Sequence, residues 1–252
     1  MRKLMIIFTL ILPLLVGANS TIDAAFQRGV TAYENQEYQE ALDIFLQIQE
    51  QGITNADVAY NIGNCYFRLQ NIGLAILYYK RALRINPAHG PAEKNLRYAM
   101  ELTVDKQHPD TEDAFSSTVS RSFNRIPANA LAIAALILFA LIVITLCAMI
   151  IFWRGREKSL PTFILTIIIV FWIIALFGAN LKWRQFHHDP TAVIIADTVM
   201  GYSGPNAEYT RVFTIHEGMI CQIERQEEGW SLIKLSNGLG GWVENTTFAK
   251  VR

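Results

Sequence analysis

The sequence predicts a multidomain membrane protein with all-α helical repeats, a two-helix transmembrane hairpin and a small all-β barrel. Three observations lead to this fold class. Similar residues recur at a spacing of 34 between residues 28 and 79, which is the period of a helix-turn-helix repeat. Two long apolar runs without charge are joined by only six residues, 154–159. Residues 190–252 alternate short β-prone segments with turn residues.

The composition is that of a chain with lipid-exposed segments. Of the 252 residues, 52% are hydrophobic and only 17% are charged, whereas a soluble domain carries about 25% charged residues. The formal net charge is zero, so we expect no nucleic-acid partner, which would need a basic stripe. Cys65, Cys147 and Cys221 lie far apart without a Cys-x-x-Cys pair, which favours neither a zinc site nor a disulfide framework.

Residues 1–20 have the pattern of a secretory signal peptide. Arg2 and Lys3 precede an apolar stretch at residues 4–16, and small residues follow as far as Ser20. The stretch is shorter than the roughly 20 residues of a spanning helix. We expect cleavage after Ser20, with an uncleaved anchor as the alternative. Export of this kind places residue 21 outside the cytoplasm.

Residues 21–102 are predicted to form about two repeats and a capping helix. Three pairs of residues stand 34 apart: Gly29 and Gly63, Ala41 and Ala75, and Phe45 and Tyr79. The small residues let paired helices approach closely, the aromatic ones fill the space between them, and Pro87 ends a helix. The set resembles the tetratricopeptide repeat. The helix at 91–102 exposes Lys94, Arg97 and Glu101, as the end of a stack must.

The resemblance implies a binding groove lined by the first helix of each repeat. Its positions in this chain are Phe26, Val30, Tyr33, Tyr60, Asn64, Phe67 and Arg68. Asn64 matches the asparagine of the carboxylate-clamp subtype, but Tyr60 stands where that subtype has lysine. An aromatic groove suits an extended or helical peptide. The alternative is that these aromatic side chains only pack the stack.

Residues 103–127 are predicted to be a linker. One helical face of its second half carries Phe115, Val119, Phe123 and Ile126, which favours a helix lying in the membrane interface. The alternative is further linker without a helix.

Residues 128–153 and 160–179 are predicted transmembrane helices, each without a charged residue. At about 1.5 Å per residue both cross the roughly 30 Å of hydrocarbon. Since ionisable residues mark transport paths, their absence from these runs favours an anchor that packs in the lipid bilayer. Residues 154–159 then face the cytoplasm with Arg154, Arg156 and Lys158, in line with the positive-inside tendency. Together with the signal peptide, this places both termini and both folded domains in the periplasm.

Residues 190–252 are predicted to form a barrel of five short strands. The clearest hairpin is 229–243, where Asn237-Gly238 fits a type I′ turn. The stretch resembles the bacterial SH3-like domain through Ser203-Gly204-Pro205, Glu217-Gly218, Gly229-Trp230 and Gly241-Trp242-Val243. Tyr202 replaces an arginine that is common in that family. In some relatives the domain binds cell-wall peptides, which makes Tyr202, Tyr209, Trp230 and Trp242 candidates for a ligand face; the alternative is that both tryptophans are core residues.

We find no catalytic constellation and expect neither a cofactor nor a metal. The chain has no His-Glu-x-x-His pattern, nucleophile elbow or phosphate-binding glycine loop. His187-His188 lacks a third ligand nearby, so a solvated loop is favoured over a metal site. The sequence therefore argues against an enzyme.

The order of signal peptide, repeats, hairpin and SH3-like domain resembles the BatE type of tetratricopeptide protein of the Bacteroides aerotolerance (Bat) operon. The resemblance implies a Gram-negative inner-membrane protein with partners among the operon's membrane proteins with von Willebrand factor A domains, and a role in oxidative-stress tolerance or envelope homeostasis. Our first hypothesis is a non-enzymatic adaptor that holds protein partners through both modules. The second is an anchor whose barrel grips peptidoglycan.

Overall fold

The computed structural model describes residues 21–106, 126, 128–152, 159–187 and 190–251. The predicted signal peptide, the interfacial helix before Ile126 and the loop residues 154–158 lie outside the described residues. The chain divides into two compact units. One unit holds the repeats together with the barrel, and the other holds the two long apolar helices.

The repeats are entirely α-helical. Five helices follow one another: α1 (21–34), α2 (Tyr38–Glu50), α3 (Ala56–Arg68), α4 (Ile72–Ile85) and α5 (Gly90–Leu102). Asn55 caps α3, since its Oδ1 accepts hydrogen bonds from the backbone N–H groups of Asp57 and Val58. The side chain of His89 caps α5 through Ala92 N–H at 3.1 Å. Helix α4 ends before Pro87, as predicted.

The 34-residue period is a repeat in three dimensions. A Cβ atom at Gly29 would lie 2.8 Å from the ring of Phe45, and one at Gly63 would lie 2.7 Å from the ring of Tyr79. Both contacts join the first helix of a repeat to the second. Each position therefore requires glycine, because an aromatic ring of the next helix lies directly against its backbone.

Two long helices, α6 (Ala128–Phe152) and α7 (Ser159–His187), form the second unit. Their segments of 23 and 25 residues are long and apolar enough to cross a membrane, which suggests membrane insertion. The rings of Phe139 and Trp172 meet with centroids 6.0 Å apart between the helices. Helix α7 continues beyond the predicted end of its span at Ala179.

The C-terminal module is an antiparallel sheet of seven strands in the order β3-β2-β6-β5-β4-β1-β7. The strands are β1 (Thr191–Ile194), β2 (Thr198–Tyr202), β3 (Arg211–His216), β4 (Ile220–Gln226), β5 (Trp230–Leu235), β6 (Gly240–Glu244) and β7 (Phe248–Lys250). The all-β prediction is confirmed, but the expectation of five strands was too low. Strands β1 and β7 have four and three residues, too few to show an alternating pattern, and they are defined by their pairing with each other.

The predicted hairpin of β5 and β6 is present but has a different turn. Alternation along β5 puts Ser231, Ile233 and Leu235 on one face, and the structure buries that face. The type I′ turn is wrong, because of its two central residues only Gly238 has a positive φ, +85°. Gly238 N–H donates to Leu235 O at 2.9 Å, and Asn237 Oδ1 accepts from Leu239 N–H at 3.0 Å. These bonds define a three-residue loop that ends in a left-handed glycine.

The barrel packs directly on the repeats. Val193 and Val251 belong to the same buried cluster as the helices. Gly73 N–H donates to Glu217 Oε2 at 3.0 Å, and Arg81 Nη2 donates to Lys250 O at 3.0 Å. The sequence predicts the repeats and the barrel as separate domains, whereas in the structure they form one compact unit.

Candidate interaction surfaces on the repeats and the barrel

The first helices of the repeats, α1 and α3, carry the predicted groove residues, and these residues divide by exposure. Phe26 and Val30 are half-buried and pack against the repeat core. The ring of Phe26 meets Phe45 edge-on with centroids 5.6 Å apart. This contact lies between the two helices of the first repeat, so it stabilises the pair.

Asn64 is buried and hydrogen-bonded to other residues of the repeats. It is 8% exposed, and its Oδ1 accepts hydrogen bonds from Tyr79 Oη and from Asn95 Nδ2, both at 2.9 Å. Burial raises the pKa of Tyr79, which keeps its phenol neutral and able to donate. A buried carbonyl with two donors is satisfied. Asn64 therefore ties α3 to both neighbouring helices.

Tyr60 borders this network. Its ring centroid is 6.1 Å from that of Tyr79 and 5.0 Å from that of His89. Its hydroxyl oxygen accepts a hydrogen bond from Asn95 Nδ2 at 3.4 Å. Tyr60 is half-buried, so only the exposed part of its side chain is open to a ligand.

Arg68 packs against Tyr38, which in turn packs against Tyr33. The Arg68 guanidinium lies 4.5 Å from the ring centre of Tyr38, a cation–π distance, and the ring of Tyr33 lies 5.2 Å from that of Tyr38. Burial raises the pKa of Tyr33, while the positive charge of Arg68 acts in the opposite direction. Because Arg68 itself is exposed, its N–H donors can reach a carboxylate or a carbonyl of a partner.

Phe67 meets a residue that the sequence analysis missed. Its ring centroid is 5.7 Å from that of Tyr98 on α5, and Tyr98 is 55% exposed. Tyr98 stands 34 positions after Asn64, so the repeat period extended to the capping helix could have found it. Phe67 packs towards α5, whereas the next residue, Arg68, packs on Tyr38 of α2. We call these side chains at the end of α3, together with Tyr98, the aromatic–cationic surface.

The predicted ligand face of the barrel lies around the end of β2. The rings of Tyr202 and Trp230 are perpendicular with centroids 5.8 Å apart, and Tyr202 is opposite Trp242 in the β2–β6 register. Trp242 is 8% exposed, with the Arg225 guanidinium 6.0 Å from its ring centre. Tyr202 and Trp230 are half-buried, so they offer more surface to a ligand than Trp242 does.

Tyr209 is the most exposed of the four candidates in the barrel. It is 52% exposed, and its ring lies on the Ser203-Gly204-Pro205 turn, since a Cβ atom at Gly204 would be 2.7 Å from the ring. The hydrogen bond from Ser203 N–H to Thr210 O at 2.9 Å closes this loop. The structure therefore brings Tyr202 and Tyr209 to one end of the sheet.

The described residues contain no group of three or more His, Cys, Asp or Glu side chains that could hold a metal ion. Burial raises the pKa of the thiols of Cys65 and Cys221 from their ordinary value of 9.0 to about 12. These two thiols are protonated at neutral pH, and a thiol in that form is a poor nucleophile.

Comparison with protein families identifies both modules. Residues 56–89 match the family model of the tetratricopeptide repeat, and residues 196–248 match that of the bacterial SH3 domain. The first match covers α3 and α4, and the second begins just before β2. No curated protein sequence matches the chain. Both families are typical non-catalytic interaction modules, and together they suggest binding to proteins or to the cell wall.

Proposed function

We propose that this protein is a non-enzymatic inner-membrane adaptor whose repeats and SH3-like barrel bind protein partners in a Bat-type complex for aerotolerance or envelope stress. The observation that carries the proposal is the aromatic–cationic surface. Tyr98 is 55% exposed and Arg68 is exposed, on the helices that line the groove in this family. Aromatic and arginine side chains are both enriched at protein interfaces.

The chemistry of this surface favours a peptide with apolar and acidic side chains. The faces of Phe67 and Tyr98 can bury an apolar side chain, and the guanidinium of Arg68 can pair with a carboxylate. Asn64 takes no part in this binding because its amide oxygen already has two donors. The partner is thus held at the Phe67 end of α3.

The proposed topology has two crossings. Residues 1–20 are a signal peptide, the repeats occupy 21–102, the linker 103–127, the spans 128–153 and 160–179, and the barrel 190–252. Residues 154–159 face the cytoplasm, and both folded modules lie in the periplasm. The contact between Gly73 and Glu217 supports an even number of crossings, because two modules that touch must lie on the same side.

The resemblance to the Bat operon proteins supplies the partner class, membrane proteins with von Willebrand factor A domains. The test is co-purification from membranes that contain the full chain and these proteins. We expect the Phe67→Ala/Tyr98→Ala variant to lose the partner and to keep its helical circular dichroism.

The matched control removes exposed apolar side chains from the barrel instead, with Met200→Ala and Val212→Ala; both residues are 45% exposed. Retention of the partner by this control, together with its loss from the repeat variant, supports the proposal. If both variants retain the partner, the proposed binding site on the repeats is wrong. If only the barrel variant loses the partner, the barrel is the protein-binding module.

The second candidate function is a peptidoglycan-binding anchor. The exposure of Tyr209, whose ring lies on the turn that follows Tyr202, favours it, since exposed aromatic faces suit sugars and peptides. The test is co-sedimentation of the detergent-solubilised full chain with peptidoglycan, because the barrel alone would expose Val193 and Val251. A wild-type chain that stays in the supernatant, or a Tyr209→Ala/Trp230→Ala variant that pellets equally well, excludes this function for the proposed face.

A further inference from the structure

The last helix pair of the repeats needs a neighbour. Within the described residues the array has two helix pairs and the single helix α5. Each repeat of such a stack buries its apolar face only against its neighbours, and about three repeats are needed for stability. In a longer array the second helix of a third repeat would cover α4; α5 ends at Leu102, and the part of the chain described as far as residue 106 contains no further helix.

The barrel covers α4 in place of that helix. Val193 in β1 is 0% exposed, Val251 after β7 is 3% exposed, and both belong to the buried cluster that contains Ile76 of α4. Ile195 and Ile220 are partly buried against the same cluster. These apolar contacts join the cores of the two modules.

Glu217 of the barrel caps α4. Asn71, the residue before the helix, makes no hydrogen bond through its side chain to cap it. Glu217 Oε2 instead accepts from Gly73 N–H at 3.0 Å. A carboxylate at this end satisfies a backbone donor and interacts favourably with the helix dipole.

Two glycines permit the close approach. A Cβ atom at Gly73 would lie 2.8 Å from the backbone oxygen of Ile194. Gly218 has φ +84°, and a Cβ there would lie 2.5 Å from Thr103 Cγ2 and 2.9 Å from Ile76 Cδ1. A side chain at Gly73 would collide with the backbone of the barrel, whereas the atoms that face Gly218 are the ends of the Thr103 and Ile76 side chains.

The chain leaving α5 is also bound to the barrel. Asp105 Oδ2 accepts from His216 N–H at 2.6 Å. Thr103, two residues earlier, is 5% exposed and lies against Gly218. The barrel therefore contacts both α4 and the segment that leaves α5.

We propose that the barrel is the terminal cap of the repeat array, so that repeats and barrel fold as one body although both apolar helices lie between them in the sequence. This inference goes beyond the adaptor function, which would be compatible with independent modules. It also requires both modules to lie on one side of the membrane that α6 and α7 cross.

Cysteine cross-linking in the full chain tests the cap. A Cβ atom at Gly218 would be 3.7 Å from Thr103 Cβ, within the roughly 3.5–4.5 Å of a disulfide. In a Cys147→Ser background, we expect the Thr103→Cys/Gly218→Cys chain to form an intramolecular disulfide in oxidised membranes. The two single substitutions, Thr103→Cys and Gly218→Cys, should not form it, because the remaining Cys65 and Cys221 are buried. Absence of the cross-link from the double variant overturns the cap.

A pair of glycine variants tests the same contact without a disulfide. Gly73 and Gly90 both lie in the first turn of a helix, and neither has a positive φ. A Cβ at Gly73 would lie 2.8 Å from the backbone oxygen of Ile194 in the barrel, whereas a Cβ at Gly90 would have nothing within 4 Å. We expect proteolysis within α4 to be about tenfold faster in Gly73→Ala than in Gly90→Ala. Equal rates overturn the cap.

These measurements separate the cap from the proposed function, since neither uses a partner. A disulfide that forms in membranes treated with oxidant but never in cells supports the cap and argues against the periplasmic placement, because cytoplasmic thiols stay reduced.

Discussion

Glu217 accepts a hydrogen bond from the backbone of Gly73, 144 residues earlier, with Oε2 and N 3.0 Å apart. The first residue belongs to the turn between β3 and β4, and the second to the first turn of α4. A side chain of the barrel thus caps the N-terminus of a helix of the repeats. The two modules therefore stabilise each other.

Replacement of Glu217 by alanine should weaken the start of α4. Loss of a capping acceptor costs about 1 kcal/mol of unfolding free energy, and the Gly73 amide should exchange its hydrogen faster. Hydrogen exchange read by mass spectrometry over residues 72–75 measures this directly. Glu228→Ala is the control, since Glu228 is exposed on the same module. Unchanged protection in Glu217→Ala would contradict the capping role.

Gly63→Ala should destabilise the repeats. The new methyl group would lie 2.7 Å from the ring of Tyr79, and overpacking of this kind costs about 1–3 kcal/mol. Gly90→Ala is a matched control, because a Cβ at Gly90 has nothing within 4 Å and gains up to about 1 kcal/mol of helix propensity. Thermal unfolding, followed by circular dichroism, should show a lower midpoint than that of the wild type for Gly63→Ala but not for Gly90→Ala. A stabilised Gly63→Ala chain would show that the ring contact does not constrain this position.

Tyr79→Phe should cost about 1 kcal/mol of unfolding free energy, the typical net value of one hydrogen bond. The variant removes the hydroxyl that donates to Asn64 Oδ1 at 2.9 Å, while the bond from Asn95 remains. Tyr98→Phe is the control, because that side chain is 55% exposed. Urea unfolding of the two variants compares them, and equal midpoints would exclude a structural role for the Tyr79 hydroxyl.

Stability should fall at alkaline pH. Burial raises the pKa of Cys65 and of Cys221 from 9.0 to about 12. Between these values the unfolded chain loses thiol protons that the folded chain retains, so folding stability is complete below pH 9 and decreases as the pH rises towards 12. The slope is up to about 1.4 kcal/mol per pH unit for each thiol. Urea titrations of Cys65→Ala and Cys221→Ala at several pH values should show flatter profiles, and profiles as steep as the wild type would rule out these thiols as the cause.

The topology predicts opposite results for two reporter fusions. Alkaline phosphatase, which needs an oxidising compartment to form its disulfides, should be active when fused after residue 252. The same enzyme fused at residue 157 should be inactive. Activity assays on intact cells measure both, with immunoblots to confirm equal amounts of fusion protein. The reverse pattern would invert the orientation.

The repeats were predictable because their signals are local. Gly63 and Tyr79 stand at family spacing, and the structure places the glycine against that ring. Alternation also divided β5 into two faces, and the structure shows that the face with Ser231, Ile233 and Leu235 is the buried one. The turn after β5 was missed because Asn-Gly is compatible with several turn types, and the side-chain bond from Leu239 N–H to Asn237 Oδ1 was not visible in the pattern.

The sequence pattern predicted which helix carries the candidate groove residues, but not what those residues contact. The family pattern positioned Asn64 and Phe67 on one helix, yet it could not tell that Asn95 and Tyr79 would satisfy Asn64. The pattern also did not include Tyr98, because this residue lies on the capping helix, outside the two repeats that the period of 34 residues defines. Hydrogen-bond partners depend on which helices meet, and that is a property of packing.

The sequence by itself determined the order of helical repeats, apolar helices and β-strands, because hydrophobic periodicity and turn residues act over a few neighbouring positions. Only the tertiary structure decided that Glu217 caps α4, that Gly218 lies against Thr103, and that Val193 completes a core made by helices. Such contacts join residues more than a hundred positions apart, and no local pattern records which surfaces bury each other.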